Sequence, residues 1–193
     1  MSRSRRRKKG NFALRFFQKI VDLGFFILIV LAFTYLMSNY IVERVVVKNH
    51  SMEATLDDGD HILVDKISYI LREPKRFEVV VFKQNGTGEE LIKRIIGLPG
   101  ETVVIKNGVI YINGSEIDDY EGLTPPMDAG IASSHISLGP GEYFVLGDNR
   151  EVSVDSRSEE VGNVTNTRMI GRALIRIYPF DKIGLITGGE EEQ

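Results

Sequence analysis

Residues 20–42, IVDLGFFILIVLAFTYLMSNYIV, carry one acid, Asp22, and no base, and the stretch Leu23 to Met37 has no charge at all. A bilayer needs about 20 consecutive apolar residues to be spanned by a helix. The apolar residues run all round the helix instead of along one stripe, which argues against a buried helix of a soluble protein. A cleaved export signal would show a shorter apolar core and a small-residue A-x-A site after it. This span is long, and no such site follows. Residues 20–42 are therefore expected to be one retained transmembrane helix.

Charge gives the span a direction. Arg3, Arg5, Arg6, Arg7, Lys8, Lys9, Arg15 and Lys19 precede it, with no acid among residues 1–19. Such a basic segment is expected to stay cytoplasmic, against anionic headgroups, with everything after Val42 outside. Up to Arg44 nine bases face two acids, a net of +7, leaving fifteen bases against twenty-five acids beyond, a net of −10. That acidic exterior argues against nucleic acid as a partner. The 186–193 tail, with its GGEEEQ ending, reads as a solvated end. There is no cysteine, so disulfides, thiol nucleophiles and Cys-ligated metals are excluded.

After Val42 the pattern changes to short β-type runs between turn signals. Residues 45–47, 61–64, 78–82, 91–96, 103–105, 109–112, 143–146 and 173–178 read as strands, and Lys106-Asn107-Gly108 between two of them is a hairpin signal. Residues 43–185 are expected to form a mostly antiparallel β domain, a sheet or partly closed barrel. Residues 114–140, with Pro125-Pro126 and scattered acids, read as a loop or small insertion. Nine residues separate Val42 from Ser51, at most roughly 30 Å of extended chain. Whatever Ser51 does, it does near the membrane surface.

Ser51 sits in the polar run His50-Ser51-Met52-Glu53-Ala54-Thr55-Leu56. A serine hydroxyl is a poor nucleophile until a base takes its proton. His50 is its immediate neighbour and would point elsewhere. His61 and His135 lie in no run with other candidate groups, and no G-x-S-x-G elbow is present. A lysine can replace histidine when it is desolvated. In Leu91-Ile92-Lys93-Arg94-Ile95-Ile96, alternation puts Lys93 with Leu91 and Ile95, and Arg94 with Ile92 and Ile96. Both faces are apolar, so spacing leaves open which cation is buried, and a lysine snorkelling from a strand edge fits equally. Only the lysine can serve as a base. Asp57, Asp58 and Asp60 around Gly59 lack the spacing of an EF-hand and read as a solvated turn, and Gly97-Leu98-Pro99-Gly100 lacks the G-K-[ST] ending of a phosphate loop.

Together these residues resemble the bacterial type I signal peptidases, from the anchor to roughly residue 180. The family's Ser-Met-x-Pro-Thr-Leu box is matched by Ser51 to Leu56, and its Gly-Asp box by Gly59-Asp60 with Val64 and Lys66. Its Lys-Arg box with Gly-x-Pro-Gly-Asp is matched by Lys93-Arg94 and Gly97 to Glu101, and Gly-Asp-Asn-Arg-x-x-Ser-x-Asp-Ser-Arg by 147–157. Two positions depart, Ala54 for proline and Glu101 for aspartate.

The resemblance implies a membrane-anchored endopeptidase removing signal peptides from exported preproteins after Ala-x-Ala-type sites. Ser51 would be the nucleophile and Lys93 the base. Ser153 would orient the lysine amine, and Asp155 and Arg157 would form an ion pair behind the site, with Asp148 and Asn149 as scaffold. The Ser51 N–H would supply the oxyanion hole, and the Asn49 amide would add a second donor. No metal or organic cofactor is implied; the partners would be preprotein signal peptides and the lipid bilayer, with the chain a monomer. Two alternatives remain. Self-cleaving Ser/Lys repressors share fold and dyad but carry no membrane span. A non-catalytic relative would bind exported chains without cutting them.

Overall fold

The apolar span lies inside one long helix. The computed structural model describes residues 3–36, 40–117, 123 and 125–186. Helix α1 runs Arg3–Leu36, and its membrane-length apolar stretch is Leu14–Tyr35, with mean hydropathy 2.1. The large apolar side chains from Leu14 to Tyr35 are exposed, as a helix facing lipid requires. Of the expected span 20–42, residues 37–39 lie outside the described residues. Val42 already belongs to a strand, because Val42-Glu43-Arg44-Val45-Val46 is rich in β-branched residues. At the other end Arg15 and Lys19 fall inside the helix.

Residues 1–41 form one unit and 42–193 another. The second is built from strands β1 (Val42–Val46), β2 (His61–Asp65), β3 (Val79–Lys83), β4 (Glu90–Gly97), β5 (Thr102–Lys106), β6 (Val109–Ile112), β7 (Ser115–Glu116), β8 (Ile136–Ser137), β9 (Glu142–Leu146), β10 (Val164–Thr165), β11 (Met169–Tyr178) and β12 (Gly184–Leu185), with a short helix α2 at Ser68–Leu71. The main sheet has the order β1-β2-β11-β3-β4-β9-β10, with β12 on β11; a second sheet has the order β7-β6-β5-β8. The strand pairs are antiparallel in both sheets. This is the expected fold class. The β5–β6 hairpin turns on Asn107 (φ 52°) and Gly108 (φ 80°), the two positive φ values that a type I′ turn needs. The 114–140 stretch contributes β7, a 3₁₀ turn at Gly130–Ser133 and β8 among its described residues.

Strand β4 is central, paired with β3 on one side and β9 on the other. Its alternate residues feed different packing clusters. Leu91 and Ile95 join Val80, Phe82, Tyr143 and Val145, while Ile92 joins Val45, Val47, Met52 and Leu56. Both faces of the strand are therefore covered, and the two cations it carries lie inside the domain. Strand β1 is an end of the sheet; it pairs with β2, and its other edge carries no strand among the described residues.

Candidate active site

Ser51 lies in the loop between β1 and β2. Bonds from Val47 N–H to the Asp60 carbonyl (2.8 Å) and from Gly59 N–H to the Val47 carbonyl (3.0 Å) close that loop at its base. Met52 and Leu56, each 1% exposed, pin it into the core. Asn49 takes the left-handed conformation (φ 71°), which asparagine tolerates better than most residues, and its N–H donates to Asp58 Oδ1 at 2.8 Å. The pinning leaves Ser51 8% exposed, with its side chain turned inward toward β4.

Lys93 meets it there. Nζ lies 2.7 Å from Ser51 Oγ across 42 positions of sequence. Lys93 is 2% exposed and Arg94 is 0% exposed, so the question that alternation left open has the answer that both are buried. Burial is the largest influence on Lys93 and pulls its pKa down to about 8. The carboxylates of Asp155 and Asp148 oppose that shift, and Arg157 adds to it.

Arg94 is held by a fork. Nε donates to Asp148 Oδ1 at 2.8 Å and Nη2 to Asp148 Oδ2 at 2.7 Å, with both side chains fully enclosed. Thr55 Oγ1 donates to Asp148 Oδ2 at 2.6 Å, and Arg94 Nη1 donates to the Phe77 carbonyl at 2.8 Å. Asp148 thereby joins the Ser51 loop, β4 and the 147–157 segment at one carboxylate. The resemblance implies only a scaffold part for Asp148, and for Thr55 no more than a place in the Ser51–Leu56 run. The available signal was the mid-strand arginine, since a buried guanidinium needs a carboxylate. One sequence does not say which acid.

The 147–157 segment passes directly behind Ser51. Asn149 N–H donates to the Ser51 carbonyl at 3.1 Å. A Cβ on Gly147 would come within 2.5 Å of that carbonyl and 2.1 Å of Ser153 Oγ, so the approach requires glycine. Asp155 and Arg157 pair at 2.9 Å, and Asp155 Oδ2 also accepts the Gly147 N–H at 3.1 Å. Arg157 binds the carbonyls of Arg150 (2.7 Å) and Asp128 (2.9 Å), which fixes the bend of the segment.

Two residues are arranged differently from their expected roles. Ser153 Oγ is buried beside Gly147 and makes no hydrogen bond to a described residue; the expected bond to the lysine amine is not formed, Nζ being directed at Ser51. Asn49 presents its oxygen, not its NH₂, to the site: Oδ1 accepts the Ser51 N–H at 3.1 Å. Ala54 also departs from what a proline there would need, with φ at 89°.

The other candidates are occupied elsewhere. His50 Nδ1 pairs with Glu53 Oε1 at 2.5 Å, and the His61 ring packs 5.0 Å from that of Tyr178. Asp57 pairs with Lys182 (2.6 Å), Asp60 with Arg176 (2.9 Å), and Asp58 caps Asn49. Glu101 accepts the Leu98 N–H at 2.7 Å and so closes the Gly97–Gly100 turn on itself. Among the described residues no cluster of three His, Asp or Glu side chains converges as a metal site would.

Two clefts border Ser51. One follows β1 from Arg44 to Asn49 and is walled by Met52, Leu91 and Ile92. The other leads away from β1, past Lys93, to Gln84, Val152, Val154 and Glu160.

Residues 20–178 match the family described as signal peptidase, peptidase S26. A probable signal peptidase I-2 of Synechocystis sp. is 36% identical over 160 residues, covering 80% of this chain and 71% of that protein. A signal peptidase I of Bacillus caldolyticus is 35% identical, covering 76% and 82%. Signal peptidase IB of Staphylococcus aureus is 34% identical, covering 77% and 84%.

Proposed function

The chain belongs to the signal peptidases of peptidase family S26, and we propose that it is a membrane-anchored serine endopeptidase that cuts signal peptides from exported preproteins with a Ser51–Lys93 dyad. The observation that carries this reading is the 2.7 Å approach of a buried lysine amine to a serine hydroxyl. With a pKa of about 8, roughly a tenth of the amines are neutral at pH 7. In that form the lone pair accepts the Ser51 proton along the line the two atoms already define.

Ser51 Oγ then attacks the scissile carbonyl and Lys93 holds the proton as an ammonium. The oxyanion replaces Asn49 Oδ1 on the Ser51 N–H; the displaced amide turns its NH₂ toward the same oxygen and becomes the second donor. Lys93 passes its proton to the leaving amine, and the acyl-enzyme on Ser51 is released by a water that Lys93 deprotonates in turn. The buried Ser153 hydroxyl has no partner among the described residues, and a turn of that hydroxyl toward Nζ would let it orient the amine during these steps. Asp155 and Arg157 form the rigid back wall.

The signal-peptide half binds along the open edge of β1, adding a strand by main-chain hydrogen bonds. The cleft walled by Val45, Val47, Met52 and Ile92 suits small apolar side chains, as an Ala-x-Ala site presents. The anchor is the apolar stretch Leu14–Tyr35, with the basic residues before it on the cytoplasmic side and the β domain outside.

The test is cleavage of an Ala-x-Ala preprotein by the full-length chain in detergent, beside Ser51→Ala and Lys93→Ala. The parent should cut at that site and each variant should not. A parent that binds the preprotein without cutting it would leave the chain a binding relative instead.

A further inference from the structure

The cleft that leads away from β1 has a composition the reaction chemistry does not account for. Its floor is Ser51 and Lys93, and its far side is Gln84 with Val152, Val154 and Glu160. A substrate strand lying along β1 with its scissile carbonyl at Ser51 must continue into this cleft, because the two clefts meet at Asn49, Ser51 and Leu91. The cleft is therefore continuous with the site and belongs to the residues that follow the cut.

The charges facing it are unequal. His50 Nδ1 pairs with Glu53, whose other oxygen accepts the Asn149 amide at 2.9 Å. Lys93 is buried and reaches Ser51. Glu160 is exposed, accepts one hydrogen bond from the neutral Gln84 amide (2.6 Å), and has no cation at ion-pair distance among the described residues. Glu151 and Glu159 lie on the same loop, also exposed. Arg168 keeps its charge but donates to the carbonyls of Lys83, Val161 and Asn163; Arg150 and Arg157 share a second cleft with Glu160, Arg157 being paired with Asp155. Beside the carboxylate lies an apolar shelf, with Val152 59% and Val154 49% exposed. An apolar shelf ending in a carboxylate matches a long side chain with an aliphatic stem and a cationic head.

We propose that this cleft receives the first residues of the mature chain, and that Val152, Val154 and Glu160 make it favour lysine or arginine there over an acid. The inference rests on the peptidase reading above. Exposed charge pairs are weak, so the expected preference is small, roughly threefold to tenfold in kcat/KM for Lys over Glu at low salt. It should shrink at 1 M salt, where the screening length falls to about 3 Å.

The experiment uses the full-length chain in non-ionic detergent and preproteins with one signal peptide and one Ala-x-Ala site. They carry Lys, Gln or Glu at each of the first three mature positions. The quantity read is the Lys-to-Glu ratio of kcat/KM within each enzyme, which cancels any general loss of activity. At one of those positions the ratio should exceed threefold in the parent, fall toward one in Glu160→Gln, and invert in Glu160→Lys. Glu116→Lys, a charge reversal on exposed β7, should leave it unchanged. A parent ratio near one at all three positions overturns the inference while leaving the peptidase reading intact. So does an equal shift from Glu116→Lys, which would make the effect one of net charge. A parent that cuts none of the substrates removes the peptidase reading and this inference with it.

Discussion

Replacing Lys93 by methionine isolates the cost of holding an amine in the core. The parent side chain is 2% exposed, and its pKa falls from 10.5 in an unfolded chain to about 8. The folded value lies below the unfolded one, so between those two pH values the unfolded chain holds a proton that the folded chain has released. Parent stability must therefore rise as pH climbs from about 8 to 10.5, and the penalty is fully present below about 8. A shift of about 2.5 units at about 1.36 kcal/mol per unit gives a penalty of about 3 kcal/mol. Methionine has similar length, packs as a hydrophobe and does not titrate. Lys93→Met should therefore exceed the parent in stability by about 3 kcal/mol more at pH 7 than at pH 10.5. The assay is urea unfolding of full-length protein in detergent across that range, followed by near-UV circular dichroism of the tyrosines, the chain having no tryptophan. The difference between the two proteins is read at each pH, so titrations common to both cancel. A difference that stays flat from pH 7 to 10.5 would refute the reasoning, because the amine would then be solvated.

Other expectations follow from the same site. Cleavage by the parent should increase about tenfold per pH unit below about 8 and level off near 9, as the neutral fraction of Lys93 saturates; a midpoint near 10 would show an unperturbed lysine. Ala54 sits at φ 89°, where proline cannot go, so Ala54→Pro should lose at least about 1 kcal/mol and Ala54→Gly should gain about 1 kcal/mol. Thermal unfolding resolves both, and a more stable proline variant would show that the turn is of the family type after all. Asp148→Ala should cost about 3–5 kcal/mol by stranding the enclosed Arg94, and Arg94→Met with Asp148→Leu should recover much of it. Equal losses in the single and double variants would mean the pair is not what suffers.

The fold class was legible because the β domain is built from local signals. Asn107-Gly108 specifies its own turn, and the valine-rich runs can hardly be anything but strands. The limits of the anchor were less legible, since hydropathy does not separate the end of an apolar helix from a β-branched strand such as Val42–Val46. At the site, spacing left Lys93 open between a buried base and a snorkelling strand residue, and only the resemblance of the four boxes joined it to Ser51; the structure brings those two side chains together. What spacing does not carry is orientation. Nothing in the residue name says that Asn49 turns its oxygen to Ser51, or that Ser153 lies over Gly147 without a partner among the described residues. Nor does local sequence reveal a bond such as Thr55 to Asp148, which spans 93 positions.

That span orders events in time. A ribosome adding roughly 5–20 residues per second completes Thr55 several seconds before it reaches Asp148. Until the later segment arrives, β4 has no β9 along its edge, Arg94 has no Asp148 to fork onto and the Ser51 carbonyl has no Asn149 N–H to accept. On the reading proposed above, the half-made chain is an incomplete peptidase, and its site is finished only when residues 142–157 have been made.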